Sequence, residues 1–319
     1  VHRAPTEEEY NFIFGKAIYQ DLKKKHRIHC HDCRKDAMKF LGKSSNGTEM
    51  YINKIVADAD KVVPISSIEP HYFAGYTGGR KSFLPGVASY DTISQNHYLA
   101  LQDSAKALAL KGNPVHEDMM DAMHVLKDIH IFAIEMVLDS SHEIYAVTTG
   151  DLSKSFYAGI DKAKEVYGVQ IPHKADIVIS VAPYPMDVDL YQSQKALDNG
   201  KLALNKDGIL ILVAKCRTGI GPKPFYDLLS SEKDPQAVLD KIHASWKLGY
   251  HKAAKMAQID TWAQTWAVTD LTDEEMRNVH FKPFHDLEKA YAAAVAEKGD
   301  DASVIVLPAG SMTVPEVTQ

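Results

Sequence analysis

Few cysteines, no long apolar run and no basic stripe are the first features of this sequence. Three cysteines occur in 319 residues, and two of them lie close together as Cys30 and Cys33. This number argues against a disulfide framework and favours a reducing compartment, so we expect a cytoplasmic protein. No apolar stretch approaches the roughly 18 residues of a transmembrane helix, which argues against a membrane protein. A net charge of -6 without a basic stripe argues against nucleic-acid binding.

The apolar pattern predicts the fold class. Hydrophobic residues make up 45% of the chain, which is long enough for two domains. Apolar strands over 177–181 and 209–213 alternate with helical patterns, which indicates a parallel sheet covered on both faces. A helix predicted over 152–167 ends at a break, 168–172, and this break is the predicted domain boundary. We therefore expect an α/β protein of two domains, with mainly parallel sheets flanked by helices.

One glycine-rich segment carries most of the functional information. It runs from Pro70 to Lys81 as Pro-His-Tyr-Phe-Ala-Gly-Tyr-Thr-Gly-Gly-Arg-Lys, and the segment Thr92–His97 follows it. Glycine tolerates positive φ and close backbone approach. The segment therefore predicts a loop that brings a nucleophilic amine, Lys81, and two imidazoles, His71 and His97, around a bound group.

A phosphate-binding loop is an alternative interpretation of the same segment. The spacing from Gly75 to Lys81 and Ser82 matches that of nucleotide-binding loops, but Arg80 stands where that pattern requires glycine. An NTP-binding enzyme therefore stays open as a second function.

The two neighbouring cysteines raise the question of a zinc site. His29 and His31 lie beside Cys30 and Cys33, but Cys216 is the only further thiol. A closed zinc site needs four ligands in tetrahedral geometry, and adjacent residues point in diverging directions. We therefore favour a loop with incidental thiols.

A second candidate site follows the apolar strand over 177–181. Ligands of doubly wound sheets bind at the carboxyl ends of the strands, where the next loop and helix begin. Tyr191 and Lys195 lie on one face of that helix, with Gln192 beside them. Lys195 could neutralise a carboxylate and Gln192 could hydrogen-bond to it; an ordinary solvated helix face is the alternative.

Four segments together resemble one family. They are His2-Arg3-Ala4-Pro5-Thr6, Pro70–Lys81, Thr92–His97 and Tyr191-Gln192-Ser193-Gln194-Lys195. In these segments the chain resembles the nickel-pincer lactate racemase family over nearly its whole length. The long loop motif is highly specific for that family.

The resemblance implies a cofactor and its ligands. The cofactor would be a pyridinium-3,5-dithiocarboxylic-type mononucleotide, a nickel pincer tethered as a thioamide to Lys81 and contacted by the loop. His97 would be the protein ligand of nickel, whose square-planar form accepts sulfur and imidazole donors. The loop residues assigned to cofactor binding are Gly75, Tyr76, Gly78 and Gly79.

The resemblance also implies the reaction. It would be the inversion of a 2-hydroxy acid, lactate or a related acid, by reversible hydride transfer to the cofactor. His2 and His71 would be the paired acid/base residues, which suits imidazoles because their pKa lies near working pH. Tyr191, Gln192 and Lys195 would bind the substrate. The partners implied are the small hydroxy acid and the proteins that make and load the cofactor, with no nucleic acid or membrane.

The family's domain organisation gives the predicted boundaries. Because the end of the chain returns to the first domain in that family, we assign the strand over 303–307 there. The cofactor- and nickel-binding domain is thus predicted to span 1–170 plus 300–319, and the substrate-binding domain 171–299. The resemblance places the active site in the cleft between these two domains. In the family, a segment before the His2 motif supplies an arginine for the substrate carboxylate and groups for the cofactor phosphate. We expect the sequence to be a fragment lacking them, or those roles to be filled elsewhere; an inactive, cofactor-binding family member stays open.

Overall fold

The computed structural model describes residues 4–139, 141 and 143–318. The predicted acid/base residue His2 lies outside these residues. In chain order the helices are α1 (Glu7–Phe14), α2 (Lys16–Lys24), α3 (Lys54–Ala57), α4 (Tyr90–Tyr98), α5 (Pro114–Ala122), α6 (Leu152–Tyr167), α7 (Leu190–Gly200), α8 (Lys223–Leu229), α9 (Pro235–Ala244), α10 (Tyr250–Asp260), α11 (Asp273–Asn278) and α12 (Leu287–Lys298).

The strands are mostly short in the first half of the chain and longer in the second. In chain order they are β1 (Met38–Lys43), β2 (Glu49–Asn53), β3 (Lys61–Val62), β4 (Ile65–Ser67), β5 (Pro70–His71), β6 (Gly75–Tyr76), β7 (His130–Ile131), β8 (Ala133–Leu138), β9 (Ile144–Gly150), β10 (Gly168–Ile171), β11 (Ala175–Val181), β12 (Leu204–Val213), β13 (Gln264–Val268), β14 (Lys282–Phe284), β15 (Val304–Leu307) and β16 (Val314–Val317).

The second half is built on a parallel sheet, as predicted. Its five strands lie in the order β14-β13-β12-β11-β15, and every neighbouring pair is parallel. One face packs against α7 to α11 through a large apolar cluster, and the other face packs against Ala290 and Ala294 of α12. Because both faces are covered, residues 177–181 of β11 and 209–213 of β12 are largely apolar on both sides, which is why these segments read as apolar runs.

The first half uses smaller sheets around the glycine-rich segment. β4, β8 and β9 form a three-stranded sheet in which β4 and β8 are parallel and β8 and β9 antiparallel. Helix α6 packs against this sheet through Phe156 and Ile160, in a cluster that also contains Ile68 and Tyr76. The sheet therefore supports the segment that contains the predicted functional residues.

The assignment of the last strand to the first domain is wrong. β15 pairs in parallel with β11, so that Ile177 lies opposite Val304 and Ser180 opposite Leu307. The apolar residues of β15 complete the edge of the second sheet and pack on its cluster with α12. Only the residues that follow β15 return: β16 pairs with β10, the strand after α6, and Met312 packs against the cluster of Tyr76. The division at residue 170 stays a prediction.

Local sequence signals explain several element boundaries. A capping box at Thr6 begins α1, and Gly15, whose φ is +76°, separates α1 from α2. Asp151 caps α6, which spans 152–167 as predicted. In the described ranges, 4–139, 141 and 143–318, we find no helix with the length and apolar character that crossing a bilayer requires.

Candidate active site

The predicted functional loop begins as a tight hairpin. β5 and β6 pair antiparallel, so that His71 lies opposite Gly75. Gly75 and Gly78 have φ of +76° and +78°, and a Cβ at Gly75 would lie 2.3 Å from the carbonyl oxygen of Ala109. At Gly79 the chain enters a short 3-10 turn that contains Lys81. The ring of Tyr76 is buried beside Ile68 and Phe156, so it anchors the loop in the core.

Phe73 brings the predicted residues of the first half together. Its ring centroid lies 4.6 Å from that of His71 and 5.0 Å from that of His97, edge to face in both cases. The Nζ atom of Lys81 lies 5.6 Å from the same ring centroid. The loop and α4 thus place an amine and two imidazoles around one aromatic ring, and the bound group predicted between them stays a prediction.

The site favours neutral forms of these three groups. Burial lowers the pKa of the Lys81 amine well below its usual value, and the Arg80 guanidinium lowers it further. Burial likewise lowers the pKa of His71, with a contribution from the Lys81 charge, and that of His97, with a contribution from His251. A neutral amine is a nucleophile, and a neutral imidazole can take up a proton or ligate a metal.

The two histidines differ in their hydrogen bonds. The backbone N–H of Ala74 donates to Nδ1 of His71 over 3.3 Å, which orients that ring and leaves Nε2 for a bound group. His97 is buried, and its Nδ1 has no hydrogen-bond partner among the described residues. Such a buried, unpaired nitrogen destabilises the fold unless a ligand or a metal ion binds to it.

The second half contributes α7 to the same place. Lys195 lines a small cavity together with His71, Tyr72, Thr77 and residues near the chain end, so the cavity lies between the two halves. Tyr191 and Gln192 are half-buried in the first turn of α7, where the Asp189 carboxylate caps the N–H of Gln192. The structure therefore brings Lys195 next to His71 and positions Tyr191 and Gln192 at the start of the same helix.

Sequence reasoning missed two polar residues of α10. The ring of His251 lies 5.2 Å from that of Phe73 and 5.7 Å from that of His97. Lys252 donates to the carbonyl oxygen of Tyr191 over 2.7 Å and lies 3.7 Å from the Tyr191 ring centroid. The available signal was a His-Lys pair on a helix whose other buried positions, apart from Lys255, are apolar.

The loop does not have the geometry of a phosphate cradle. Such a loop offers free backbone N–H groups to an anion. Here the N–H of Thr77 donates to the carbonyl of Glu69, that of Gly79 to the Glu135 carboxylate over 2.9 Å, and that of Lys81 to the carbonyl of Gly78. These donors are already used, and an acidic side chain occupies the place of an anion, which argues against the NTP-binding alternative.

The histidines near Cys30 and Cys33 are used by other partners. Nε2 of His29 pairs with the Asp36 carboxylate at 2.6 Å, and Nε2 of His31 bonds to the carbonyl oxygen of Ala88. Within the part of the chain that the structure describes, no group of three or more His, Cys, Asp or Glu side chains could hold a metal.

Comparison with known proteins decides the family. Residues 1–109 match the lactate racemase N-terminal domain, and residues 170–314 match the lactate racemase C-terminal domain. Lactate racemases of Thermoanaerobacterium thermosaccharolyticum and Lactiplantibacillus plantarum are each 34% identical to this chain over 97% of it and 73% of their own length. The chain belongs to the lactate racemase family. The resemblance drawn from the motifs is therefore confirmed, and the protein is an isomerase.

Solved structures agree with this assignment. The lactate racemase apoprotein of T. thermosaccharolyticum matches with a TM-score of 0.91 and 32% identity, covering 99% of this chain and 76% of that chain. A Thermotoga maritima protein matches with a TM-score of 0.69 at 16% identity, covering 99% of this chain and 84% of that chain, which supports the fold alone. The predicted α/β class with mainly parallel sheets is thus confirmed, whereas the individual site roles stay predictions.

Proposed function

We propose that this protein is a racemase of a small 2-hydroxy acid, with lactate as the first substrate to test. The observation that carries the proposal is the convergence of His71, Lys81 and His97 around Phe73, with Lys195 of the other half beside His71. The names of the two curated relatives supply lactate as the acid. The family relationship therefore supports the reaction, and the geometry supports the residues.

The side chains fit a tethered nickel cofactor. Lys81 pairs with no carboxylate in the described part of the chain, and burial favours its neutral, nucleophilic amine. Burial lowers the pKa of His97, which favours a neutral ring, and its buried Nδ1 has no hydrogen-bond partner among the described residues; a neutral imidazole nitrogen is a donor that nickel(II) accepts. We assign the covalent anchor to Lys81 and the metal ligand to His97. When bound, the pincer group would supply a pyridinium carbon that takes up and returns the hydrogen of the substrate's chiral carbon with its electron pair.

The residues of this chain would then bind the acid and move its hydroxyl proton. The ammonium of Lys195 faces the cavity and would neutralise the substrate carboxylate, with Gln192 and Tyr191 beside it. His71, neutral because of burial, would take the hydroxyl proton when one enantiomer reacts and return it when the other is formed. His2 is proposed for the opposite face of the planar 2-keto acid. The cavity between the halves would limit water access while the proton is away.

Two further parts of the proposal concern the cell. Proteins that synthesise and load the cofactor are the expected partners, because a nucleophilic lysine and an imidazole do not themselves make a pincer group. A cytoplasmic location is proposed from the free thiols of Cys30, Cys33 and Cys216.

The test is racemisation by the full-length protein loaded with cofactor. We expect interconversion of the lactate enantiomers, and a loss of about a hundred- to ten-thousand-fold in both directions for His71→Ala, because a general acid/base is removed. His173→Ala, at an exposed position, is the matched control and should keep the wild-type rate.

Three results would contradict a part of this proposal or favour an alternative function. Near-normal rates for His71→Ala would remove that residue from the mechanism. Cofactor binding without racemisation of any 2-hydroxy acid would favour an inactive family member. Magnesium-dependent ATP turnover that requires Lys81 would favour the NTP-binding alternative.

A further inference from the structure

Arg80 is the most deeply buried cation beside the proposed active site. Its side chain is 1% exposed, and in residues 4–139, 141 and 143–318 no carboxylate lies within ion-pairing distance of it. Burying an unpaired guanidinium is costly unless its donors are satisfied, so the position requires an explanation. The comparison with phosphate-binding loops does not explain Arg80, because those loops have glycine at the corresponding position.

The two terminal nitrogens of the guanidinium donate to the backbone of its own loop, whereas the buried Nε has no hydrogen-bond partner among the described residues. One of its nitrogens, Nη2, donates to the carbonyl oxygen of Ala74 at 2.6 Å, and Nη1 donates to that of Tyr76 at 2.8 Å. Longer contacts reach the carbonyls of Thr77 and Gly78 at 3.4 and 3.3 Å. The aromatic ring of Phe156 lies 4.3 Å below the guanidinium, which adds a cation–π contact.

These contacts join the two limbs of the loop. One limb is the hairpin in which His71 pairs with Gly75, and Ala74 and Tyr76 lie in it. The other limb is the 3-10 turn Gly79–Ser82, which contains both Arg80 and Lys81. The planar fork of arginine can hold several carbonyls in a fixed geometry, whereas lysine is a point donor on a flexible stem.

We infer that Arg80 is a positioning residue that sets the place of Lys81 relative to His71, by tying the turn that contains the lysine to the hairpin that contains the histidine. The inference rests on the proposed function for the roles of Lys81 and His71. Its structural content, the cross-linked loop, does not depend on those roles. Arg80 itself touches neither substrate nor cofactor in this scheme.

The first test uses the unloaded full-length protein. Amide hydrogen exchange would be followed at residues 75–82 in the wild type, Arg80→Lys and Arg80→Met. Because two or more charge-assisted bonds are lost or weakened, we expect exchange of these amides to accelerate about 10- to 100-fold. Amides of α12, on the far face of the second sheet, should not change. Arg277→Met, which removes a surface pair with Asp273, is the control and should leave the loop unchanged.

The second test uses the loaded enzyme. Loss of the cross-link should lower kcat about tenfold or more, because a displacement of reacting groups by about 1 Å can cost a hundredfold in rate. KM should stay within about twofold, since the proposed carboxylate-binding residues lie on α7 of the other half. A merely structural defect would instead lower the fraction of active protein and leave kcat per loaded site unchanged. The intact mass gives the fraction of protein that carries the adduct, and kcat is divided by that fraction.

The outcomes separate the two proposals. Accelerated exchange confined to the loop supports the cross-link even if the wild-type enzyme racemises nothing, in which case only the proposed function fails. If Arg80→Met does not fold, Arg80→Lys alone decides. Wild-type loop exchange and wild-type kcat in Arg80→Lys would overturn the inference.

Discussion

The substitution Gly78→Ala tests whether the proposed cofactor loop is as tightly built as the structure indicates. Gly78 has φ of +78° and ψ of -178°, a conformation that is essentially restricted to glycine. A Cβ there would lie 2.7 Å from Cγ1 of Ile68 and 2.8 Å from Oε2 of Glu135. The backbone of the loop and the carboxylate that holds the Gly79 N–H would therefore both have to move.

The expected magnitude follows from these two effects. Backbone strain at such a position costs about 1–3 kcal/mol, and overpacking a filled site costs about 1–3 kcal/mol more. We therefore expect Gly78→Ala to lower the free energy of unfolding by about 4 kcal/mol. The side chain of Glu135 should also lose its bond to the loop, so less Lys81 adduct should form in the variant.

Gly112→Ala is the matched control. Gly112 has a nearly equal φ of +77°, but a Cβ at this position would meet nothing within 4 Å. Only the cost of the left-handed conformation remains, about 1–2 kcal/mol. Urea unfolding of the two unloaded variants and the wild type gives the comparison. If Gly78→Ala is destabilised no more than Gly112→Ala, the crowding around the loop does not hold and the reasoning fails.

Further predictions concern the covalent anchor, the metal ligand and the pH dependence of stability. We expect Lys81→Ala to abolish the covalent adduct and bound nickel together, and His97→Ala to lower nickel while the adduct remains. Intact mass measures the adduct and elemental analysis measures the nickel. An adduct retained in Lys81→Ala, or full nickel content in His97→Ala, would contradict these roles. Burial lowers the pKa of Lys252 and of Lys255 to about 8, against 10.5 when unfolded. Between these values the unfolded chain holds more protons, so stability should rise with pH from about 8 to 10.5, by up to about 3 kcal/mol per lysine. In the double variant Lys252→Met and Lys255→Met, the free energy of unfolding should rise less over this pH range than in the wild type. A rise equal to that of the wild type would contradict the lowered pKa values of the two lysines.

Much of the second half could be predicted from the sequence alone. Residues 177–181 of β11 and 209–213 of β12 are largely apolar because both faces of a parallel sheet are buried, and that burial is visible in the residues themselves. The helix predicted over 152–167 is likewise observed at those bounds as α6, with Asp151 as its N-cap. Short strands such as β13 and β14 were missed, since three to five residues leave little periodicity to detect.

The motif residues could also be found in the sequence, but not their arrangement. The spacing of glycines around Lys81 indicated a bent loop, and the family resemblance proposed roles for His71 and His97. That Phe73 is the ring around which all three lie depends on how the hairpin packs against α4. Likewise, sequence comparison with nucleotide-binding loops treated Arg80 only as a mismatch, whereas the folded loop uses it as a donor to four carbonyls.

Tertiary structure alone decided the long-range pairings. β15 is a short apolar strand that could close either sheet, and its local sequence is the same in both cases. Its pairing with β11 is set by the free edge of the second sheet and the apolar surface of α12. The meeting of His251 and Lys252 with residues 71–97 and Tyr191 similarly joins parts of the chain more than 50 residues apart. Local propensity contains no information on such contacts, because they depend on which surfaces remain to be buried once each half has folded.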